Sequence, residues 1–177
     1  MTDPSTPYLS RRTFLEGAVA ASGALLLPRW ARSEEGALSV AARKGIAESP
    51  LIYVSPLRGD GSESACHGEV WFVPDGTDLL VVTTEDRWRA VAVTRGLESA
   101  RIWVGDFGPW KKSDQFKSGP SFVAKVALVS KEAPVVERAL IAFGAKYPDD
   151  WENYGPRFRN GMKDGSRVML RYRPPGA

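Results

Sequence analysis

The chain has 177 residues, with 24 lysines and arginines, 21 aspartates and glutamates, one cysteine and one histidine. A single cysteine excludes an intramolecular disulfide framework. One cysteine and one histidine are also too few soft ligands for a structural zinc site. The formal charge of +3, without a long basic run, gives no reason to expect nucleic acid as a partner.

Residues 1–33 have the layout of an export signal. The pair Arg11-Arg12 is followed by Phe-Leu and by a short apolar run that ends near Leu27. The pair and its neighbours resemble the twin-arginine signal, an address whose pathway carries proteins already folded. We therefore expect export by the twin-arginine translocation machinery to the periplasm or the extracellular space. A protein that folds around a cofactor in the cytoplasm suits this route.

The expected cleavage site lies before Glu34. An uncleaved anchor is the alternative, although the apolar run contains Glu16 and is shorter than the roughly 20 residues that span a bilayer. Without the signal, residues 34–177 carry 20 basic and 19 acidic residues, so the net charge falls to +1. This length suits one domain with its own core.

Six strands are predicted, bounded by turns rich in Gly, Asp and Pro. In chain order we expect a short helix or arm at 36–48, strands at 51–54, 70–73 and 79–84, a helix at 86–97, strands at 100–104 and 121–129, a helix at 134–147 and a strand at 166–172. The acidic residues Asp149, Asp150 and Glu152 are interpreted as a solvated loop, with a metal or acid-base role as the alternative.

The order of these elements favours a mainly β (α+β) fold. The first three strands, joined by tight turns, predict an antiparallel meander. A closed or partly closed six-stranded antiparallel barrel with capping helices is more economical than a parallel sheet. A doubly wound fold would need helices between most strands, and the Gly-x-Gly-x-x-Gly fingerprint does not occur.

Several motifs follow one another between residues 51 and 174. They are the Gly-Asp-Gly turn at 59–61, Val-Trp-Phe-Val at 70–73, the strand at 79–84 followed by Arg-Trp-Arg-Ala at 87–90, and Lys-Tyr-Pro at 146–148. Their order and spacing resemble the split-barrel flavin-binding family of pyridoxamine 5'-phosphate oxidase and its deazaflavin-dependent relatives. The resemblance implies a six-stranded split barrel at 34–177 that binds FMN, and a homodimer with cofactor sites in its interface.

The resemblance also implies a place for the flavin phosphate, where the third strand leads into the first helix of the barrel. The side chains at this place are Thr83, Thr84, Arg87 and Arg89. Hydroxyl donors, guanidinium forks and a helix N-terminus suit a dianion chemically. The alternative is that both arginines are solvated helix residues paired with the acidic residues at 85 and 86.

By the same resemblance, Val70, Trp71 and Phe72 would lie beside the flavin ring. The alternative is that the two aromatic residues belong to the core. Members of the family carry a basic pair near this strand, whereas this chain has His67 and Glu69. That departure leaves a deazaflavin, haem or no cofactor open beside FMN.

The resemblance makes the aromatic residues Trp103, Phe107 and Trp110 candidates for contact with the partner's cofactor, and capping of the barrel is the alternative. His67 is either a structural histidine or an axial haem ligand. It cannot form a nucleophile and base with Cys66 by adjacency alone, because neighbours on a strand point to opposite faces. No catalytic residue and no metal ligand is assigned.

The leading hypothesis is an exported FMN-binding oxidoreductase acting on a small-molecule substrate. In such enzymes the cofactor carries the redox step, so an acid-base dyad is not required. A non-catalytic split barrel that binds haem or a deazaflavin is the alternative, and a structural dimer with an empty site is the third hypothesis.

Overall fold

A computed structural model describes residues 37–177 of the chain. The expected export signal at 1–33, with Arg11 and Arg12, lies outside these described residues. Within 37–177, no helix combines the length and the apolar character that crossing a bilayer requires.

Residues 37–177 contain seven strands, four α-helices and one short 3-10 helix at Gln115–Ser118. The strands are β1 (Ile52–Pro56), β2 (Gly68–Val70), β3 (Val73–Asp75), β4 (Asp78–Thr84), β5 (Ser99–Val104), β6 (Ser121–Val129) and β7 (Arg167–Arg173). The helices are α1 (Val40–Glu48), α2 (Trp88–Thr94), α3 (Val135–Lys146) and α4 (Pro148–Asp164). The predicted mainly β, antiparallel architecture is confirmed, and the predicted number of six strands is wrong by one.

All seven strands belong to one antiparallel sheet in the order β2-β1-β5-β6-β7-β4-β3. The two edge strands, β2 and β3, are consecutive in the chain and are separated only by Trp71 and Phe72. The sheet therefore curls until this two-residue crossing joins its edges, and the barrel is split at the crossing.

The crossing replaces the single strand that was predicted at 70–73, so the predicted meander is also wrong. The Tyr147 hydroxyl accepts a hydrogen bond from the Phe72 amide at 3.0 Å and lies 2.9 Å from the carbonyl oxygens of Phe72 and Pro50. Buried backbone groups need partners, and here a distant side chain takes the place of a neighbouring strand.

Strand β4 is apolar on both faces because it separates two cores. Leu79 and Val81 face the barrel interior, whereas Leu80 and Val82 pack against α3 and α4 on the outside. Successive side chains of a strand point to opposite faces, so burial on both sides produces an uninterrupted apolar run.

Helix α4 corrects the interpretation of residues 149–152 as a loop. Asp149 and Asp150 are exposed in its first turn, and Glu152 is exposed one turn further on. Pro148 suits the first helical turn, and acidic side chains are favourable near a helix N-terminus. These carboxylates therefore have a structural explanation.

Glycines allow α3 and α4 to pack closely around Trp151. A Cβ atom at Gly144 or at Gly155 would come within 2.8 Å of the Trp151 ring. The ring lies parallel to Phe143 at 6.4 Å between centroids and edge-on to Phe158 at 5.7 Å. This packing stabilises a helix whose glycines and internal proline are poor helix formers.

Candidate functional site

Two clefts open near the carboxyl end of β4, and Arg87 and Arg89 line both of them. The smaller cleft, of about 230 Å³, is bounded by the β2–β3 crossing, the end of β4, α4 and the start of β7. The larger cleft, of about 550 Å³, is bounded by residues 65–69, the start of α2 and the loop at 110–111.

Arg89 is a half-buried cation without a carboxylate. Its Nη1 donates a hydrogen bond to the Thr83 hydroxyl at 2.8 Å, and its guanidinium fills the space where a Cβ at Gly68 would lie. Burial lowers the pKa of Arg89 from its ordinary value. Among residues 37–177, no Asp or Glu oxygen lies within 4.0 Å of it. Since a guanidinium stays protonated, Arg89 brings a positive charge to both clefts, and Glu69 of the larger cleft favours that charge without pairing with it directly.

Arg87 is exposed and immediately precedes α2. This helix begins at Trp88 and has seven residues, so it is shorter than the predicted helix at 86–97. Asp86 accepts a hydrogen bond from the Thr84 hydroxyl at 2.5 Å, which lowers the Asp86 pKa. In the described chain, neither Arg87 nor Arg89 pairs with the acidic residues at 85 and 86.

The four residues expected around a phosphate therefore lie at one cleft. Thr83 is only 3% exposed, with its hydroxyl engaged by Arg89, so its role is to hold that arginine. Thr84 and the two guanidiniums line the smaller cleft. The arrangement is chemically suited to an anion, because guanidinium groups form strong, paired hydrogen bonds with phosphate or carboxylate oxygens.

The residues expected beside a flavin ring separate into two groups. Val70 and Trp71 line the smaller cleft. Trp71 is stacked on Tyr147, with 4.4 Å between ring centroids. Phe72 is instead fully buried in the barrel core, so its side chain does not reach either cleft. Its position follows from the crossing, where neighbouring side chains turn to opposite faces.

Besides Val82 of the predicted strand at 79–84, three residues that line the smaller cleft were not among the candidate site residues. Tyr154 and Phe158 come from α4, and Arg167 comes from the start of β7. The spacing of Trp151, Tyr154, Phe158 and Met162 is helical and could have indicated α4. No pattern in the sequence indicates that Arg167 lies beside Thr84.

In the larger cleft, His67 is surrounded by aromatic rings. The centroids of Phe116, Trp110 and Trp103 lie 5.5, 5.9 and 6.0 Å from its imidazole. Burial and the nearby Lys117 lower the His67 pKa. Its Nδ1 is buried without a hydrogen-bond partner among the described residues. The imidazole is therefore held neutral at neutral pH.

Trp110 and Glu69 are also lining residues of the larger cleft, and the Trp110 amide lies 3.3 Å from Glu69 Oε2. Trp103 is 4% exposed and packs with Tyr53 and Phe116 on the side of the barrel. Phe107 packs at the margin of the same cluster. Within one chain, Trp110 is the member of the aromatic group that reaches the cleft.

The Tyr53 hydroxyl fixes the loop that follows β5. It accepts a hydrogen bond from the Phe107 amide at 2.9 Å and donates one to the Gly108 carbonyl at 2.7 Å. Burial is the main cause of the raised Tyr53 pKa. This anchor places Trp110 at the larger cleft.

Neither known family models nor curated proteins match the chain. Among solved structures, the haem storage protein HutZ from Vibrio cholerae matches with a TM-score of 0.53 at 12% identity, covering 76% of this chain and 88% of HutZ. ChuZ from Campylobacter jejuni matches with a TM-score of 0.53 at 7% identity, covering 75% of this chain and 50% of ChuZ.

The conserved hypothetical protein Rv2991 from Mycobacterium tuberculosis matches with a TM-score of 0.51 at 16% identity, covering 79% of this chain and 82% of Rv2991. At such identities a likeness shows the fold alone. The fold is a split β-barrel, as the strand order independently indicates, and the expected fold class is confirmed.

Proposed function

We propose that this protein belongs to the pyridoxamine 5'-phosphate oxidase-like group of split barrels and binds a phosphorylated flavin in the two clefts that Arg87 and Arg89 both line. The observation that carries the proposal is the half-buried Arg89, held by Thr83 and facing a cleft without a carboxylate partner in the described chain. A desolvated cation is costly unless an anion neutralises it. The phosphate of FMN supplies that anion.

The residues at the clefts fit such a cofactor. Arg87 and Arg89 offer donors to a phosphate, while Trp110 offers flat apolar surface to a ring in the larger cleft. The volumes of about 230 and 550 Å³ together suit a ligand of this size. A bound flavin would supply the electron or hydride transfer to a small-molecule substrate. The chain's own residues bind the ligand, orient it and exclude water.

A second candidate function is haem binding, and His67 favours it. The imidazole lines the larger cleft, is held neutral and is surrounded by aromatic rings, all of which suit an axial ligand. HutZ, which has the same fold, is a haem storage protein. A deazaflavin is a further alternative, since its phosphate would engage the same arginines.

The visible absorption spectrum of the purified protein tests these alternatives. Flavin bands, with release of FMN on denaturation, are expected. A Soret band that is lost in His67→Ala would instead support the haem function. Apoprotein that binds neither FMN, a deazaflavin nor haem in titration would contradict both functions.

We also propose a homodimer with the cofactor sites in its interface. Val123 of the central strand β6 is 38% exposed on the outer face of the barrel, where a partner would cover it. We expect packing, without a disulfide through the exposed Cys66, to hold the two protomers together, so light scattering should give the same dimer mass with and without reductant. A monomer at micromolar concentration would contradict this proposal.

Export by the twin-arginine pathway is proposed from the sequence around Arg11 and Arg12. Replacing both by lysine keeps the charge but removes the guanidinium pair that the receptor reads. Cell fractionation should then show retention in the cytoplasm. Unchanged export of the double variant would exclude this route.

A further inference from the structure

Arg167 is the first residue of β7 and stands opposite Thr84, the last residue of β4, in the antiparallel ladder. Residues opposite each other in such a ladder have neighbouring side chains on the same face of the sheet. Arg167 therefore lines the smaller cleft together with Arg87 and Arg89. The three arginines come from two segments that are far apart in the chain.

Helix α4 holds the aliphatic stem of Arg167 in a fixed position. The stem lies against Gly161, where a Cβ atom would come within 2.6 Å of Arg167 Cγ. The guanidinium carbon lies 5.2 Å from the centroid of the Phe158 ring. A side chain that is already held in place loses less conformational entropy when it binds a ligand. The packing thus prepares Arg167 for an anion in the cleft.

The charge of the smaller cleft is unbalanced. Three arginines line it, and no acidic residue does. Within residues 37–177, none of the three has an Asp or Glu oxygen within 4.0 Å. A phosphate monoester carries about −1.5 to −2 charge at neutral pH and offers three strong acceptor oxygens. A phosphate monoester therefore suits a site with several guanidiniums better than a carboxylate does, because it has more charge and more acceptor oxygens.

We propose that Arg167 completes a three-arginine cradle with Arg87 and Arg89, and that this cradle selects a phosphate monoester over the unphosphorylated ligand. The inference rests on the proposed flavin function and assigns the phosphate end of the cofactor to the smaller cleft. The volume of about 230 Å³ suits the phosphate of the cofactor and the short carbon chain that links it to the flavin ring. The larger cleft is then left for the ring system.

Titration of the apoprotein with FMN and with riboflavin tests the cradle, with flavin fluorescence as the readout. In Arg167→Ala, the affinity for FMN should fall by about 10- to 100-fold, because a charge-assisted pair of hydrogen bonds is lost. The affinity for riboflavin should change by less than about twofold, since it has no phosphate. Arg167→Lys, which keeps the charge, should recover part of the FMN affinity.

Arg159→Ala is the matched control, because Arg159 also lies on the α4 side of the barrel but pairs with Glu137 outside both clefts. It should leave FMN affinity unchanged. Unchanged FMN affinity in Arg167→Ala, or equal losses for FMN and riboflavin, would overturn the cradle. Circular dichroism and the melting temperature of each apo variant establish that it is folded.

Inorganic phosphate separates the failure of the cradle from the failure of the flavin function. If the wild-type protein binds neither FMN nor riboflavin, the proposed flavin function is wrong. The titration with inorganic phosphate then decides by itself whether the three arginines bind a phosphate. Phosphate should raise the melting temperature of the wild type and have a smaller effect on Arg167→Ala. Equal stabilisation of both proteins, or none of the wild type, would overturn the cradle.

Discussion

Arginines gather at both ends of the paired strands β4 and β7, and the two groups differ in their partners. At the Asp78 end, Arg171 lies 2.8 Å from Asp78 and 3.0 Å from Asp75, and Arg173 lies 3.1 Å from Asp78. At the Thr84 end, the arginines of the smaller cleft have no carboxylate partner among the described residues. One sheet therefore contains a neutralised cluster and an unneutralised one.

Under the proposed function, this difference separates a structural role at the Asp78 end from a binding role at the Thr84 end. Asp78 is 5% exposed, and its two arginines satisfy its oxygens within the chain. Burial disfavours the Asp78 carboxylate, but hydrogen bonds from Arg173 and Arg171 outweigh burial and lower its pKa. An arginine cluster that lacks such partners lowers stability until an anion arrives, which is the behaviour of a ligand site.

The largest expected effect is on stability at the neutralised end. Asp78→Asn removes the charge shared by Arg171 and Arg173, and we expect a loss of about 2 to 3 kcal/mol in the free energy of unfolding at neutral pH. The value is below that of a fully buried pair because Arg173 is 59% exposed. Urea denaturation measures it. Flavin affinity should be unchanged, and a loss of FMN binding would show that the two ends are coupled.

Acid should remove the difference between Asp78→Asn and the wild type. The folded-state pKa of Asp78 is lowered, so its stabilising effect is complete above the unfolded value of about 3.9 and is lost as the pH falls through the folded pKa. Unfolding free energies of both proteins between pH 7 and pH 2 should therefore converge only at the acidic end. A difference that stays constant down to pH 2 would contradict the ion-pair explanation.

At the unneutralised end, Arg89→Ala should have the opposite effects to Asp78→Asn: a loss of FMN affinity and little change in stability. We expect FMN affinity to fall by about 10- to 100-fold, equivalent to about 1.4 to 2.8 kcal/mol, while riboflavin affinity stays nearly constant. The apo form should stay within about 1 kcal/mol of the wild type in unfolding free energy, because the lost bond to Thr83 and the lost packing beside Gly68 are offset by removal of a desolvated charge. A large loss of apo stability with unchanged affinity would make Arg89 a structural residue.

The smallest effect is expected for Arg87, which is exposed. Arg87→Ala should weaken FMN binding by about two- to fivefold at low salt, since exposed charges contribute under about 1 kcal/mol. The effect should fade at an ionic strength of about 1 M, where screening is nearly complete. FMN titrations at two salt concentrations measure it. A salt-independent loss would mean that Arg87 is desolvated by the ligand.

Local sequence patterns predicted much of this architecture. The strand β6 alternates buried and exposed residues, and α3 has its apolar residues at helical spacing, so both were predicted nearly to their ends. Thr83, Thr84, Arg87 and Arg89 lie within seven positions, and the end of a strand followed by a short helix brings them together without help from the rest of the chain.

Longer-range contacts account for the errors. The chain at Trp71 leaves one edge of the sheet for the other because Tyr147 satisfies the backbone of Phe72, and no local pattern encodes that partner. Helix α4 contains Pro156 and poor helix formers, so its stability comes from Trp151 packed against the glycines of two helices.

By itself, the sequence determined the class of fold and which neighbouring residues line one part of the smaller cleft, because strand periodicity and a cluster of neighbouring residues are local properties. Only the tertiary structure decided that the barrel splits at Trp71 and Phe72, and that Arg167 joins Arg87 and Arg89. These outcomes depend on which strands pair and which helix covers them, and pairing is a free-energy property of the whole chain.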